Sequence, residues 1–214
     1  MQSTVNISKA RSLAEDTLSP ARLTHVFGVT ETIGELCRIY GLYEVSSDLT
    51  CAALLHDITK EKPLEAQLHL CKEYGIILRT EDLSCPKMLH SYTAAVFAAR
   101  EFKLDAEFCD AIRYHTTGRA GMSLYEKLLF LADYIEKNRT WPSCKAVRRY
   151  FYRNLKGAEG PEEKLLALDR AVLFGLNATL NELIESDQFI HRDTVDARND
   201  LLREKNRLKK ENRF

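Results

Sequence analysis

Apolar residues recur every three or four positions along most of the chain, and this feature limits the possible folds most strongly. Val26, Val29, Ile33 and Leu36 show the spacing, and the apolar residues between positions 165 and 184 repeat it. Such a period places apolar side chains on one face of a helix. No alternating strand pattern persists, and 9 glycines and 5 prolines are too few for a loop-rich β fold. The sequence therefore predicts an all-α protein.

Capping and breaking residues mark several helix ends. Ser123 and Glu126 have the spacing of a capping box before an apolar run, and Gly41 follows the first amphipathic helix. The helix after Ser123 is expected to run to about Asn138. Residues 156–161 contain two glycines and a proline and form the strongest internal break. We expect helices on both sides of this break within one domain.

Composition and charge exclude several classes of protein. The 31 basic and 31 acidic residues cancel, which argues against a globally basic nucleic-acid-binding protein. No apolar run reaches the roughly 18 residues of a membrane span. The polar N-terminal segment, with Glu15 and Asp16, lacks the apolar region of a secretory signal. The six cysteines include no C-x-x-C pair, so we interpret them as free thiols and expect a cytoplasmic protein.

His56 and Asp57 place two coordinating groups at the end of a short, nearly all-apolar helix. Burying an imidazole beside a carboxylate is unfavourable unless both are satisfied, as a metal ion would do. Hydrogen bonds to nearby backbone are the alternative for an isolated pair. Several histidines with carboxylates are typical of iron, manganese, zinc or nickel sites. Four further candidate ligands stand at helix ends or on apolar faces: His25, His90, His115 and Asp133.

The order of these residues resembles the HD superfamily of metal-dependent phosphohydrolases. More narrowly, the chain is similar to the YqeK family, the bacterial symmetrical bis(5'-nucleosyl)-tetraphosphatases. The segments that carry the resemblance include Leu55-His56-Asp57-Ile58-Thr59-Lys60, Leu89-His90-Ser91, Tyr114-His115-Thr116-Thr117-Gly118, Ala132-Asp133-Tyr134-Ile135-Glu136 and Ala197-Arg198-Asn199. This resemblance implies an HD-domain helical bundle over residues 20–200. Residues 1–19 would then be a helical lead-in, and residues 201–214 a basic C-terminal helical tail.

The resemblance also implies a dimetal site and a reaction. His25, His56, Asp57 and Asp133 would hold one ion, and Asp57 would bridge to a second ion held by His90 and His115. Iron is the expected metal, although the ligand types do not separate it from manganese. The implied reaction cleaves diadenosine tetraphosphate symmetrically into two ADP molecules. His69 and His191 match no ligand position and are interpreted as structural.

Cationic residues near these ligands are candidates for holding the phosphate chain. Lys60 follows the His-Asp pair by one turn and is assigned, with Asp57, to catalysis. Arg139 follows Asp133 by six residues, and Arg22 and Arg119 are weaker candidates. The family segments add further nucleotide-binding candidates: His115, Thr116, Thr117, Gly118, Thr194, Arg198 and Asn199.

The sequence departs from the family pattern at a few positions. Lys137 stands where the family usually has proline, and residues 155–162 resemble an insertion. Beyond Leu202 the chain has six Lys or Arg residues against two Glu, a longer basic tail than usual. None of these departures affects a candidate metal ligand.

Two other functions remain open from the sequence alone. One is an HD-domain phosphohydrolase that acts on nucleoside monophosphates or cyclic nucleotides. The other is a non-catalytic nucleotide-binding scaffold whose basic tail contacts RNA or a partner. The intact set of candidate ligands argues against the scaffold. The sequence does not determine the oligomeric state, so a homodimer also remains open.

Overall fold

The computed structural model describes residues 5–210, which form eleven α-helices and one 3-10 helix without any strand. The all-α prediction is confirmed. No helix within this described range is long and apolar enough to cross a membrane. The helices are α1 Ile7–Thr17, α2 Pro20–Tyr40, α3 Ser46–Leu55, α4 Leu64–Glu73, α5 Thr80–Ser84, the 3-10 helix Pro86–Met88, α6 Leu89–Phe102, α7 Ala106–Tyr114, α8 Leu124–Ile135, α9 Pro142–Lys156, α10 Pro161–Glu185 and α11 Arg192–Lys210.

The predicted caps form as expected. The Ser123 hydroxyl accepts a hydrogen bond from the backbone N–H of Glu126, whose carboxylate accepts one in return from the N–H of Ser123. Gly41 ends α2 in the left-handed conformation, with φ of 69°. The break at residues 156–161 separates α9 from α10.

The predicted end of α8 is wrong by three residues. The helix stops at Ile135 instead of Asn138. Arg148 of α9 donates hydrogen bonds to the backbone carbonyls of Ile135 (2.5 Å), Glu136 and Arg139 (2.9 Å). These carbonyls are therefore satisfied without further helical turns, and residues 136–139 are held in a non-helical path.

Helix α3 lies at the centre of the core, and α1, α2, α6, α7 and α8 all pack against it. Leu49, Leu54 and Leu55 of α3 are at most 1% exposed. A helix surrounded in this way carries its C-terminal residues into the interior. His56, the residue after α3, is accordingly completely buried.

Both ends of the described chain join this core. Ala10 and Ala14 of α1 are completely buried, so the predicted lead-in packs as part of the bundle. Ala197 and Leu201 of α11 are also buried in the core, and the basic residues between positions 203 and 210 continue the same helix. Residues 1–4 of the lead-in and 211–214 of the tail lie outside the described residues.

Candidate metal centre and adjoining cavity

Three of the candidate histidines are oriented by the same local hydrogen bond. In each, Nδ1 lies 2.6 or 2.7 Å from the backbone carbonyl oxygen three residues earlier: His56 with Ala53, His90 with Lys87 and His115 with Ile112. A carbonyl can only accept, so Nδ1 carries the proton in the neutral ring. The Nε2 atom of each ring is then left with a free lone pair, as a metal ligand requires.

His25 is oriented by a carboxylate instead. Its Nδ1 lies 3.3 Å from Oε1 of Glu136, a side chain that is 1% exposed. A Cβ atom on Gly28, one turn further along α2, would lie 2.2 Å from Oε2 of Glu136. The missing side chain at Gly28 therefore lets Glu136 approach His25. The sequence predicted no separate role for Glu136, although this residue ends the segment from Ala132 that carries the family resemblance.

Asp57 divides the histidines into two sets. Its Oδ2 lies 3.8 Å from Nε2 of His25 and 3.6 Å from Nε2 of His56. Its Oδ1 lies 3.1 Å from Nε2 of His90 and 3.6 Å from Nε2 of His115. One carboxylate thus presents a separate oxygen to each pair of imidazoles, which is the arrangement expected of a bridging ligand.

Asp133 completes the first set. Its Oδ1 lies 2.9 Å from Nε2 of His25 and 3.8 Å from Nε2 of His56. Potential ligand atoms of His25, His56 and Asp133 all lie within 4.8 Å of one another, and the same holds for His56, Asp57 and His115. The structure therefore brings all six predicted ligands together.

The donor atoms of this cluster fit transition-metal ions. The buried Nε2 of His56 and Oδ1 of Asp57 have no hydrogen-bond partner among the described residues. A buried polar atom without a partner costs about 1–3 kcal/mol, so such atoms signal a missing partner. Imidazole nitrogens and carboxylate oxygens are the ligands that iron, manganese and zinc share.

The protonation states favour metal binding at most of these positions. Burial lowers the pKa of His56 to about 3 and that of His90 to about 4, so both rings are neutral at pH 7. Burial works against ionisation of Asp57 and Asp133, but the charges and hydrogen bonds of neighbouring side chains hold both pKa values well below their usual range. His25 differs: although burial opposes its charge, hydrogen bonds to Asp133 and Glu136 raise its pKa to about 9. A metal ion must therefore displace a proton from His25.

Three cationic side chains surround the cluster, each with about a third of its area exposed. An Nη atom of Arg22 lies 2.8 Å from Asp57, and one of Arg139 lies 2.7 Å from Asp133. Lys60 Nζ lies 3.1 Å from Nε2 of His90, and burial lowers the pKa of its ammonium group. Positive charge is therefore concentrated where an anionic ligand would approach the cluster.

A cavity of about 380 Å³ adjoins the cluster. Lys60, Thr116 and Thr117 line its inner end. Its outer walls come from the segment between α5 and α6, the C-terminal end of α10 and the chain leading into α11. They include Ser84, Cys85, Pro86, Lys87, Met88, Thr179, Leu183, Gln188, Phe189, His191 and Thr194. Its size and largely apolar walls with a few polar groups are typical of small-molecule sites, which measure roughly 300–1,000 Å³.

Comparison with known proteins places this site in a family. The HD domain family matches residues 22–138, which include all six candidate ligands. Symmetrical bis(5'-nucleosyl)-tetraphosphatase of Halalkalibacterium halodurans is 33% identical over 94% of this chain and 99% of its own length. This chain is a member of the HD-domain family of symmetrical bis(5'-nucleosyl)-tetraphosphatases. The resemblance predicted from the sequence is confirmed.

Further relatives agree with this family. The Staphylococcus aureus protein of the same name is 32% identical over 91% of this chain and 94% of its own length. A solved structure from Clostridium acetobutylicum, described as a predicted HD superfamily hydrolase involved in NAD metabolism, superposes with a TM-score of 0.80. It is 29% identical and covers 93% of this chain and 98% of its own. The HD-domain helical bundle is therefore confirmed as the fold.

The predicted nucleotide-binding residues of this family member separate into two groups. Thr116, Thr117 and Thr194 line the cavity beside the cluster. Most of the other lining residues, such as Cys85 and Phe189, were not predicted from the sequence. Arg119 instead donates hydrogen bonds to the buried carboxylate of Glu126 and to Asp110 (3.2 Å). It does not line this cavity, so the structure gives it a role in joining α7 to α8.

Gly118, Arg198 and Asn199 also lie outside the cavity lining. Gly118 has a φ of 65°, and a Cβ there would meet Cβ of Ala197 at 3.0 Å, so the glycine permits close packing of α11. Arg198 donates to the side-chain oxygens of Asn177 (3.0 Å) and Asn199 (3.1 Å). The segment from Ala197 to Asn199, which matches the family, therefore lies where α11 packs against α10.

Proposed function

We propose that this protein is a metal-dependent hydrolase that cleaves diadenosine tetraphosphate symmetrically into two ADP molecules. The observation that carries the proposal is Asp57, whose two oxygens face two separate pairs of histidines beside a cavity of nucleoside size. The names of the relatives support the same reaction. They do not favour a nucleoside monophosphate or a cyclic nucleotide as the substrate.

Two transition-metal ions complete the proposed site, with iron as the expected metal and manganese as the alternative. His25, His56, Asp57 and Asp133 would hold one ion, and Asp57, His90 and His115 the other. Such ions lower the pKa of a coordinated water and neutralise charge on phosphate oxygens. The neutral rings of His56 and His90 and the ionised Asp57 and Asp133 suit this role without prior proton transfer, whereas His25 must first lose a proton.

The chain's own cations would bind the phosphate chain. Lys60, Arg22 and Arg139 surround the cluster, so their charges would face the non-bridging oxygens of a polyphosphate. A monophosphate offers fewer oxygens to these three groups than a tetraphosphate does. Lys60 lines both the cluster and the cavity and would neutralise the charge that develops on the departing ADP oxygen.

The cavity would hold one nucleoside half. Thr116 and Thr117 line its inner end beside Lys60, while the outer walls offer apolar surface for a base. The second ADP unit would extend away from the cluster. This placement presents a central phosphate to the metal centre, which is the requirement for symmetrical cleavage.

Other features support a cytoplasmic enzyme without a nucleic-acid partner. All six cysteines are free thiols, as expected in a reducing compartment. In the basic tail, Arg203 pairs with Asp200 and Arg207 with Glu204, which leaves less positive charge for RNA. We therefore interpret the described part of the tail as a solvated helix end.

The test is product analysis with metal-loaded wild-type protein and the His56→Ala variant. We expect the wild type to yield ADP as the only nucleotide, and the variant to lose bound metal and nearly all turnover while remaining helical by circular dichroism. Equal amounts of AMP and ATP would refute symmetrical cleavage. Faster release of phosphate from deoxynucleoside monophosphates would favour the alternative substrate class.

A further inference from the structure

The outer part of the cavity lies between two segments that are more than 100 residues apart in the sequence. One wall is residues 84–88, and the other is residues 188–194. Two contacts join them near the surface. Lys87 Nζ donates to Oε1 of Gln188 at 3.3 Å, and Cys85 Sγ donates to the backbone carbonyl of Phe189 at 3.7 Å. Both contacts are exposed, so by themselves they hold the walls weakly.

A buried link lies next to these contacts. Asp82 and His191 are 1% and 2% exposed, and Nε2 of His191 lies 3.0 Å from Oδ1 of Asp82. The same carboxylate accepts hydrogen bonds from the hydroxyl of Tyr92 and from the backbone N–H of Arg79 (2.6 Å). Arg79 also reaches Oδ2 of Asp193 at 3.2 Å. The two walls are therefore joined through one buried, multiply bonded carboxylate.

The proton position on His191 is opposite to that of the metal-centre histidines. The backbone N–H of Asp193 donates to Nδ1 of His191 at 3.2 Å, so Nδ1 is the acceptor. Nε2 lies 3.0 Å from the Asp82 carboxylate, which can only accept, and 3.3 Å from an Nη of Arg79, which can only donate. The carboxylate is the nearer of the two, so in the neutral ring Nε2 carries the proton and donates to Asp82. His90, in contrast, has its protonated Nδ1 on a carbonyl, so its Nε2, 3.1 Å from Nζ of Lys60, is an acceptor. His191 is thus arranged as a hydrogen-bond donor that joins the walls, and its edge lines the cavity.

We propose that His191, through its bond to Asp82, is a positioning residue that holds the nucleoside wall of the cavity in its binding position. The inference rests on the proposed function, since it assigns the cavity to a nucleoside half. A wall fixed before binding avoids the loss of conformational freedom that ordering it on the ligand would require. Breaking the link therefore weakens binding of the nucleoside but leaves the metal centre and the phosphate-binding cations in place.

The matched variants are His191→Leu and Tyr92→Phe. Each removes one hydrogen bond to Asp82, but only the first removes a bond that joins the two walls. Calorimetry on metal-loaded protein would measure affinity for ADP, which carries the nucleoside, and for inorganic pyrophosphate, which does not. For His191→Leu we expect ADP affinity to fall about tenfold, as for a lost hydrogen bond of about 1.4 kcal/mol. Pyrophosphate affinity and metal content should stay unchanged. Tyr92→Phe should keep wild-type affinity for both ligands.

Kinetics and a conservative variant separate positioning from general damage. In His191→Leu, KM for diadenosine tetraphosphate should rise in parallel with the loss of ADP affinity, while kcat is retained. His191→Gln, whose amide can donate to Asp82 from the position of Nε2, should restore most of the ADP affinity. Unchanged ADP affinity in His191→Leu, or equal losses for ADP and pyrophosphate, would overturn the inference. Failure of the wild type to cleave diadenosine tetraphosphate would refute the proposed function instead. The affinities of His191→Leu for ADP and for pyrophosphate, each compared with the wild type, would still decide the role of His191.

Discussion

Gly28 tests how the metal centre is supported, because a single methyl group there would meet two identified side chains. In Gly28→Ala the new Cβ would lie 2.2 Å from Oε2 of Glu136 and 2.9 Å from Nδ2 of Asn138. Both distances are below those that real side chains tolerate, so the Glu136 carboxylate must move. That carboxylate is the partner of Nδ1 of His25, and His25 is a predicted ligand.

The expected size of the effect follows from two opposing terms. Alanine is favoured over glycine in a helix interior by about 0.5–1 kcal/mol, whereas overpacking a well-packed site costs about 1–3 kcal/mol. Gly28→Ala should therefore lower the free energy of unfolding by about 0–2.5 kcal/mol from these two terms. Loss of the group that orients a ligand typically lowers metal affinity by about 10- to 100-fold. Metal affinity, more than stability, is thus the informative readout.

Gly34 provides the matched control on the same helix. A Cβ at this position would meet nothing within 4 Å. Gly34→Ala should raise the free energy of unfolding by about 0.5–1 kcal/mol, which corresponds to a Tm increase of roughly 1–4 °C. It should leave metal affinity unchanged. Calorimetric titration with manganese and thermal melting of both variants measure the two effects. Wild-type metal affinity in Gly28→Ala would refute the claim that Glu136 orients His25.

Three further predictions concern charge. Lys60→Ala and Arg139→Ala should keep their metals but lose about 10- to more than 100-fold in kcat/KM for diadenosine tetraphosphate, since a charge-assisted phosphate contact contributes about 1.5–3 kcal/mol; wild-type kinetics would place both residues outside the substrate site. Arg119→Ala should keep wild-type kinetics yet unfold more easily in urea by about 1–3 kcal/mol, because buried Glu126 loses its partner, and a selective loss of activity would contradict this role. The pKa of His25 is raised to about 9 by Asp133 and Glu136 against the opposing effect of burial. Metal-free protein should therefore lose stability as pH rises from about 6.5 towards 9, the unfolded and folded pKa values of this histidine. Manganese affinity should rise over the same range, and a pH-independent affinity would contradict the raised pKa.

Much of the fold could be predicted because local signals agreed with tertiary packing. The period of apolar residues indicated the helices, and Ser123 with Glu126 marked the start of α8. The end of α8 could not be predicted in the same way. It depends on Arg148, a residue of the next helix whose guanidinium satisfies the last carbonyls. A capping partner supplied by another helix leaves no local pattern in the sequence.

The cluster of candidate metal ligands was predictable because coordinating residues are unusual at the apolar ends of helices, where His56 and Asp57 lie. The supporting residues were harder to recognise. Glu136 acts through His25 and requires Gly28, a contact between α2 and the segment after α8, which are more than 100 residues apart. Arg119 has the residue type expected for phosphate binding, but two carboxylates engage it. Which cation faces the ligand is decided by the neighbouring charges, which only the folded structure brings together.

The cavity walls were the least predictable part of the site. Cys85, Phe189 and His191 carry no recognisable motif, and they meet only because Asp82 joins two distant segments. The sequence predicted a structural role for His191 because it matches no ligand position of the family. Its position beside the cavity, with the proton on the opposite nitrogen from the ligand histidines, is a property of the assembled bundle.

The central claim is that the centre built around Asp57 directs hydrolysis at a central phosphate. Turnover of diadenosine tetraphosphate in heavy-oxygen water, followed by mass spectrometry of the products, tests it most directly. We predict that each turnover places one heavy oxygen in one of the two ADP molecules, at its terminal phosphate, with no label in AMP, ATP or inorganic phosphate. Label in AMP or ATP would show attack at an outer phosphate and would contradict the account.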